Sequence, residues 1–584
     1  MSNTNQAVKK STHDQHDHKP ALHHISTRQK VIVMLAVMSA MFLVSLDQTI
    51  IAAALGKIVE DFQSFGSLSW VVTAYMLTMT VTVPLAGKLS DMFGRKKLLI
   101  SGVAIFTIAS LLSGVAQDIT SFILFRALQG VGAGVIFANT FTIIGDLFTP
   151  RERGRWQGLI GAVFALSSVA GPLLGGFFTD AHTIFGMTTD WRWNFWINIP
   201  IGIVSFILIW VYCPHIKHEK RHVIDYLGAA FLTLMLSTLI LGVDNTESIF
   251  KSIIDAGVSL NTVRALLLGV SAISLIGFIL VERKAKSPII PLNFFRNPTF
   301  RYSMIIMTLF GAAFMAGILY LTQFNQQVFG ASATDSGMML LPFVLTMSIS
   351  SATGGIIMTK TGRYKLQMVL GLAVVTIAMF MMTRLTADSP YWFEAIAMAV
   401  AGLGMGQCMP TINNAVQNQF KQSELGAATS STQLFRSLGS TVGTAVMGSI
   451  LTAGVAVGLG SVSTMPFITE LTKSPAASQI LNGQAVDASL AVSLNEPSVK
   501  KQINESIEKS VVKLPEPQRT AALQQTKQAA DDFYTKVTKA FADSLHQVFW
   551  ISFGLSLAAT VIAATLLPAG KLHGLRQSDI GIEG

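Results

Sequence analysis

The chain has 584 residues, of which 51% are hydrophobic and 13% are charged. Soluble globular domains contain about 25% charged residues, so this composition excludes an ordinary soluble protein. The formal net charge of +10 does not indicate binding to nucleic acid, because the basic residues are segregated by membrane side, as described below.

Apolar stretches of about 20 residues, long enough to cross ~30 Å of hydrocarbon, recur along almost the whole chain. They predict fourteen transmembrane helices and therefore an all-α polytopic membrane protein. The predicted spans are 31–55, 69–88, 98–116, 120–148, 157–180, 195–213, 225–243, 261–281, 301–325, 335–358, 366–386, 391–417, 425–455 and 546–568.

The first 30 residues are polar and predict a disordered cytoplasmic tail. They include a histidine tract, a composition that can bind metal, formed by His13, His16, His18, His23 and His24. Because the tract lies in a polar tail, we expect no specific metal site there. The first span is too long for the apolar core of a cleaved signal peptide, so we expect it to remain as an anchor.

Basic residues are distributed unequally between the two sets of loops. With the N-terminus in the cytoplasm, the short inner loops carry nineteen Lys and Arg residues, whereas the short outer loops carry only a few. This asymmetry predicts that both termini are cytoplasmic.

The first span contains an acidic residue, Asp47, in the sequence "SLDQTIIAAALGK". It lies about 17 residues into the helix, or roughly 25 Å along the axis, in the outer half of the bilayer. An ionised carboxylate at that depth costs about 2.5 to 3.5 kcal/mol, so its presence suggests a function. Asp47 could alternate between a proton and an organic cation. Alternatively, it is held in a structural ion pair or lies wet at the outer interface.

The loop after the second span reads "GKLSDMFGRKK", residues 87–97. Gly87 and Gly94 suit a tight turn where backbones approach closely. Asp91 can pair with Arg95 and with the positive N-terminal end of a neighbouring helix. We interpret the four residues as an inner gate, which would hold two helix bundles together in one conformation and release them in another.

An internal repeat supports two halves of equal orientation. The sequence "GIIMTKTGRYK", residues 355–365, repeats the glycine, Gly-Arg and lysine spacing of 87–97. Parallel repeats are typical of secondary transporters. The predicted division is a tail at 1–30, a six-helix bundle at 31–213, two inserted spans with an inner linker at 214–300, a second six-helix bundle at 301–568 interrupted by an extracellular segment at 456–545, and a cytoplasmic tail at 569–584.

The fourth and fifth spans contain further candidates. Arg126 lies six residues from the outer end of the fourth span, where a guanidinium needs a polar partner or water unless it reaches the headgroups. In "GAVFALSSVAGPLLGG", residues 161–176, Gly171 and Pro172 break the backbone hydrogen-bond ladder and permit a kink, and Gly175 with the other glycines permits close packing. These glycines serve either packing alone or the exchange of two solutes.

Two charged residues of the second half are candidates for proton or substrate coupling. Glu394 lies a few residues into the twelfth span, either at the interface or in a binding role. Arg436 lies about eleven residues into the thirteenth span, where it has either a structural or a functional role. Between residues 456 and 545, the stretch 517–545 has spaced apolar positions that predict a helical outer hairpin or cap, with a solvated spacer as the alternative.

Several of these stretches resemble signatures of the major facilitator superfamily. "GKLSDMFGRKK" resembles its signature between the second and third helices, "LFRALQGVGAG" (124–134) its fourth-helix signature, and 161–176 its fifth-helix antiporter signature. "LDQTIIAAAL" (46–55) and "DWRWNFWINIPIG" (190–202) are similar to stretches of the fourteen-span drug:proton antiporter branch, the QacA/EmrB type.

The resemblance implies a major facilitator fold of two six-helix bundles with two inserted helices. It further implies a monomeric, multi-pass protein of a bacterial plasma membrane that works without a cofactor. Driven by the proton gradient, such a protein would exchange protons for small amphipathic or cationic substrates, with membrane lipids as its surroundings. The alternative is a dedicated exporter of a metabolite or lipid-like molecule, for which drug efflux is incidental.

No soluble-enzyme constellation is present in the sequence. It contains no phosphate-binding Gly-Lys-Ser/Thr loop, no His-Glu-x-x-His motif and no Gly-x-Ser-x-Gly elbow. The two cysteines, Cys213 and Cys408, form no cluster, which argues against a disulfide framework or a zinc site. We therefore expect a transporter that is not an enzyme and holds no metal.

Overall fold

A computed structural model describes residues 25–62, 68–179, 182–184, 186–215, 223–243, 246–331, 333–473, 488–496, 499–500, 503–504 and 518–570. The histidine tract and most of both predicted tails lie outside these residues. The α-helices are α1 Thr27–Asp61, α2 Leu68–Phe93, α3 Arg95–Gly114, α4 Ile119–Leu147, α5 Pro150–Thr179, α6 Trp193–Trp196, α7 Asn198–Tyr212, α8 Tyr226–Val243, α9 Thr246–Ile249, α10 Lys251–Asp255, α11 Leu260–Glu282, α12 Pro298–Gln327, α13 Ala333–Met339, α14 Leu341–Thr361, α15 Tyr364–Met382, α16 Tyr391–Gln417, α17 Leu425–Leu459, α18 Pro466–Lys473, α19 Ala488–Leu494 and α20 Gln518–Thr565. Short 3-10 helices cover Leu292–Arg296, Gln422–Glu424 and Val462–Thr464, and strands β1 Thr183–Ile184 and β2 Met187–Thr188 form an antiparallel hairpin.

Fourteen helical segments of the described chain are long and apolar enough to cross a membrane, which confirms the predicted number. The segments follow the predicted spans except at their ends. The sixth segment is divided at Ile197 into α6 and α7. The last is longer than predicted, because 518–565 form one helix of 48 residues. At 1.5 Å per residue that helix is roughly 70 Å long, so it extends well beyond the ~30 Å of a membrane core.

Both ends of the described chain lie on one side of the helices. The Gln29 side chain donates to the Tyr212 carbonyl, and the Tyr364 hydroxyl donates to the Pro568 carbonyl. The basic loops after α2 and α14 lie on this side as well, so we call it the basic end. Its identity with the cytoplasmic side stays a prediction.

The predicted halves, 31–213 and 301–568, meet at the basic end through small residues of α5 and α14. A methyl group added to Gly355 would collide with the backbone of Gly154, and one added to Gly158 would collide with the backbone of Ser351. The Thr359 hydroxyl also donates to the Arg151 carbonyl over 2.7 Å. Glycine at these positions therefore lets the two backbones touch and closes the basic end.

The inserted helices α8 and α11 pack against each other and contact both halves. Leu232 and Leu236 of α8 belong to an apolar cluster with Val81 of α2 and Leu434 of α17. At the end of α11 the buried Glu282 carboxylate accepts hydrogen bonds from the backbone amides of Ile289 and Ile290. The inserted pair thus covers the junction between α2 and α17.

At the end opposite the basic end, the segment after α17 packs as helices on the second half. The helical positions predicted over 517–545 belong to α20, where Phe533, Val537 and Phe541 are buried. Asn495 donates to the Gln327 side chain at the end of α12 over 2.7 Å. In the part of this segment that the structure describes, the chain is therefore a packed helical cap.

Candidate functional site

Asp47 is fully buried in a polar cluster formed by α1 and α4. The Arg126 guanidinium donates to Asp47 Oδ2 over 2.6 Å, and Gln129 Nε2 donates to Oδ1 over 2.8 Å. Arg126 also donates to Gln129 Oε1 over 2.9 Å, so the three side chains close a ring of hydrogen bonds. The spacing of Arg126 and Gln129 explains this geometry, because residues three apart share one face of a helix.

Three more elements contribute to this cluster. The guanidinium carbon of Arg126 lies 4.4 Å from the centre of the Tyr75 ring of α2. Asn198, the first residue of α7 after the break at Ile197, donates to Asp47 over 3.5 Å and to the Ser110 hydroxyl over 3.1 Å. The pair of opposite charges is therefore enclosed by polar and aromatic groups, as a buried ion pair requires.

The enclosure of Asp47 decides between some of the roles that the sequence left open. Of the alternatives open from the sequence, the geometry excludes a wet Asp47 at the interface, because the carboxylate is enclosed. An arginine does not lose its own proton, so the titratable member of the pair is the carboxyl group. Protonating Asp47 would remove the countercharge of Arg126 and disturb the two hydrogen bonds that the carboxylate accepts from Arg126 and Gln129. The assignment of Asp47 and Arg126 to coupling stays a prediction.

A second charged cluster lies at the basic end, between α2, α3, α4 and α17. Asp91 forms an ion pair with Arg95, and Arg95 also donates to Asp146 over 2.8 Å. The two carboxylate oxygens of Asp91 accept hydrogen bonds from the backbone amides of Gly426 and Ala427 over 3.1 and 3.0 Å. Asp91 of the first half therefore occupies the positive N-terminal end of α17 in the second half.

The local geometry explains why two positions of this motif are glycine. Gly94 has a φ of 95°, a conformation that other residues rarely adopt, and it separates α2 from α3. A side chain at Gly87 would collide with Ser430 of α17. The geometry suits the predicted gate in its closed form, and the function of Gly87, Asp91, Gly94 and Arg95 as a gate stays a prediction.

The predicted antiporter helix α5 approaches α1 next to the Asp47 cluster. A methyl group at Gly171 would collide with Thr49, which lies two residues after Asp47. Pro172 lies inside the continuous helix, and Gly175 is buried one turn further along. At Gly171, α5 therefore packs directly against the helix that carries Asp47. The role of Gly171, Pro172 and Gly175 in the exchange of protons and substrate stays a prediction.

The two candidates of the second half lie apart from each other and have few partners. Glu394 is fully buried in the first turn of α16, where its side chain interacts with the buried Asn325 of α12. Arg436 is partly exposed and donates to Gln433 Oε1 over 3.2 Å. Whether either residue takes part in coupling stays a prediction.

Sequence reasoning missed several members of these clusters. Gln129 could have been found from its spacing to Arg126, and Asp146 from being an acidic residue at the end of a span. Asn198 gave no comparable signal, because its contact with Asp47 depends on the break in the sixth segment. Gln417, at the end of the twelfth span, donates to the Phe141 carbonyl of the first half over 3.1 Å, a contact that its position in the sequence does not indicate.

Comparison with known proteins identifies the family. The profile of the Major Facilitator Superfamily matches residues 37–444. The chain belongs to the major facilitator superfamily. It is therefore an integral, multi-pass membrane transporter and not an enzyme, in agreement with the resemblance of its motifs.

Relatives with similar sequences are named as a multidrug transporter, a multidrug resistance protein and an efflux pump. The multidrug transporter protein MdtP of Bacillus subtilis is 32% identical over 560 residues, which cover 94% of this chain and 95% of the relative. Multidrug resistance protein 3 of the same organism is 35% identical over 422 residues, covering 72% and 79%. The efflux pump dotC of Dothistroma septosporum is 32% identical over 427 residues, covering 72% and 71%.

Solved structures of the superfamily have the same fold. The proton:xylose symporter XylE, bound to 6-bromo-6-deoxy-D-glucose, aligns with a TM-score of 0.57 at 12% identity, covering 94% of this chain and 98% of the symporter. At this low identity the likeness establishes the fold alone. The major facilitator fold predicted from the motifs is confirmed.

Proposed function

We propose that the chain is a proton-coupled antiporter that exports amphipathic or cationic compounds across a bacterial plasma membrane by alternating access. Relatives named multidrug transporters support the export of drugs. The proton gradient would supply the energy, and a single chain would be the working unit.

The observation that carries this proposal is the enclosed ring of Asp47, Arg126 and Gln129. A coupling acid must be able to take a proton inside the protein, and a neighbouring group must respond to its charge. Arg126 meets the second condition because its only anionic partner in the described chain is Asp47. In the proposed cycle, a proton from outside neutralises Asp47, the ring opens, and bound substrate leaves on the outer side.

The gate at the basic end completes this cycle. With Asp91 on the N-terminal end of α17, the two halves are joined at the end that is predicted to face the cytoplasm. Loss of these contacts would open the site to substrate from the cytoplasm. The conformation that is closed at the basic end is therefore stabilised by hydrogen bonds between the halves. The conformation that is open at this end forms when those bonds are broken, as alternating access requires.

Everted membrane vesicles with an imposed pH gradient test the proposal. Ethidium added to vesicles that contain the wild-type chain should release protons, and the Asp47→Asn variant should abolish that release. Asp61→Asn is the matched control, because Asp61 lies on the same helix and pairs with Arg192 at a partly exposed site.

Two results would contradict the proposal. Normal proton release by Asp47→Asn would exclude Asp47 as the coupling acid. No response of the wild-type chain to a broad panel of cations would instead favour the export of one dedicated product.

A further inference from the structure

Arg436 is partly exposed, and it has fewer partners than the buried arginines of the described chain. Arg126 and Arg95 each pair with carboxylates, and Arg153 donates to the carbonyls of Gly145 and Phe148. Arg436 donates to one amide oxygen, that of Gln433, and no carboxylate of the described chain pairs with it. A guanidinium has five N–H donors, and most of those of Arg436 make no hydrogen bond to the described residues.

Gln433 adds another unused donor at the same place. Its side chain is 1% exposed, and its Nε2 has no hydrogen-bond partner in the part of the chain that the structure describes. Its Oε1 is already occupied by Arg436. Gln433 and Arg436 together therefore present several N–H donors and one positive charge, and the described residues supply no acceptor for these donors.

The helical spacing places this pair at the junction of the two halves. Thr429, Gln433 and Arg436 share one face of α17, since they are four and three residues apart. Thr429 accepts a hydrogen bond from Gln417, which also donates to the carbonyl of Phe141 in the first half. Arg436 lies seven residues further along this face, or roughly 10 Å away from the closed basic end.

The charge of Arg436 has a physical consequence. Arginine does not lose its proton, so it cannot become neutral as a buried acid or lysine can. A charged group inside a membrane protein is costly unless it meets an opposite charge or water, and such groups mark substrate paths. In the first half, Asp47 supplies the opposite charge for Arg126, whereas the charge of Arg436 is left uncompensated by the described residues.

We propose that Arg436 and Gln433 form a subsite for the carboxylate group of an amphipathic substrate. The planar guanidinium matches a carboxylate with two parallel hydrogen bonds, and the Gln433 amide can donate a third. This inference rests on the proposed export function and refines its substrate class: molecules that carry an acidic group as well as an apolar or cationic body are preferred over the same molecules without it.

The test compares two dyes that differ in one carboxylate. Rhodamine B has a free carboxyl group, and rhodamine B ethyl ester has the same body with that group blocked. Transport of both dyes is measured in everted vesicles from fluorescence, and the ratio of acid to ester transport is the readout. Loss of a charge-assisted hydrogen bond corresponds to about a tenfold or larger change in affinity, so the ratio should fall at least about tenfold in Arg436→Gln.

Matched variants separate this role from a structural one. Arg436→Lys retains the charge and should retain part of the preference for the acid. Arg384→Gln removes an arginine from an exposed position near Phe380 and should leave both dyes unaffected. In the wild-type chain, which avoids any question of folding, benzoate should compete with rhodamine B and methyl benzoate should not.

The outcomes are distinguishable. Transport of both dyes with an unchanged ratio in Arg436→Gln, or equal competition by benzoate and its methyl ester, would overturn the subsite and leave the export function standing. A wild-type chain that transports neither dye would overturn both. A ratio that falls in Arg436→Gln and recovers in Arg436→Lys supports the subsite.

Discussion

Replacing Asp91 by asparagine should weaken the closed state of the basic end. In the structure the two oxygens of Asp91 accept hydrogen bonds from the amides of Gly426 and Ala427. Asparagine has one oxygen and one NH2 group, so one amide would face a donor instead of an acceptor. The ion pair with Arg95 would be lost as well.

The size of the effect follows from the bond that is lost. A hydrogen bond to a charged group contributes about 1.5 to 3 kcal/mol. Since 1.4 kcal/mol corresponds to a factor of ten, the ratio of closed to open molecules should fall by about 10- to 150-fold. A transporter whose two states differ by a few kcal/mol would then populate the open state substantially.

Distances between spin labels measure this change. Lys97 and Lys421 are exposed at the basic end on opposite halves, and each can be replaced by a labelled cysteine. The native cysteines, Cys213 and Cys408, are buried and should remain unlabelled. In Asp91→Asn, double electron–electron resonance should show a longer distance that is rare in the parent chain.

A matched control distinguishes the gate from helix capping in general. Asp225 also accepts a backbone hydrogen bond at the basic end, from Gly228, but within its own segment. Asp225→Asn should leave the distance distribution unchanged. An unchanged distribution in Asp91→Asn would refute the conclusion that this carboxylate holds the halves together.

Two further predictions concern side chains buried within the helices. Glu394→Gln should lower cation-dependent proton release if Glu394 carries a coupled proton. It should leave thermal stability intact, because glutamine has the same size and can keep the contact with Asn325. The exposed Glu247→Gln is its control, and unaltered release would exclude the role. Cys213 and Cys408 are 2% and 0% exposed, so they should react with N-ethylmaleimide only after denaturation. Mass spectrometry measures the labelling, and rapid labelling of the folded chain would contradict the packing around the two thiols.

The spans could be predicted from the sequence because each depends on a local property, the length of an apolar stretch. Their ends could not always be predicted. The 48-residue helix α20 combines a membrane span with an extramembrane part whose composition is polar. Hydropathy predicts a boundary where the apolar span begins. The helix nevertheless continues across that point, because no glycine or proline interrupts its first 36 residues.

The charged clusters could be predicted only in part. The sequence of 87–97 indicates that Asp91 needs a cation and a helix end, since these are the groups that stabilise a buried carboxylate. It does not indicate that the helix is α17, 335 residues further along the chain. For Asp47, the partner Arg126 lies 79 residues away, and only the packing of α1 against α4 decides between an ion pair and a free acid.

A physical link between the proposed proton site and the gate is provided by α4. This helix carries Arg126 near one end and Asp146 at the other, 20 residues or roughly 30 Å apart. Arg126 bonds to Asp47, and Asp146 bonds to Arg95, which in turn holds Asp91. Because a helix transmits rotation and translation along its length, release of Arg126 by a proton on Asp47 can move Asp146 and loosen the gate. The Asp47 cluster and the gate cluster thus share one rigid helix, α4. The state of one cluster can therefore bias the other without a direct contact between them.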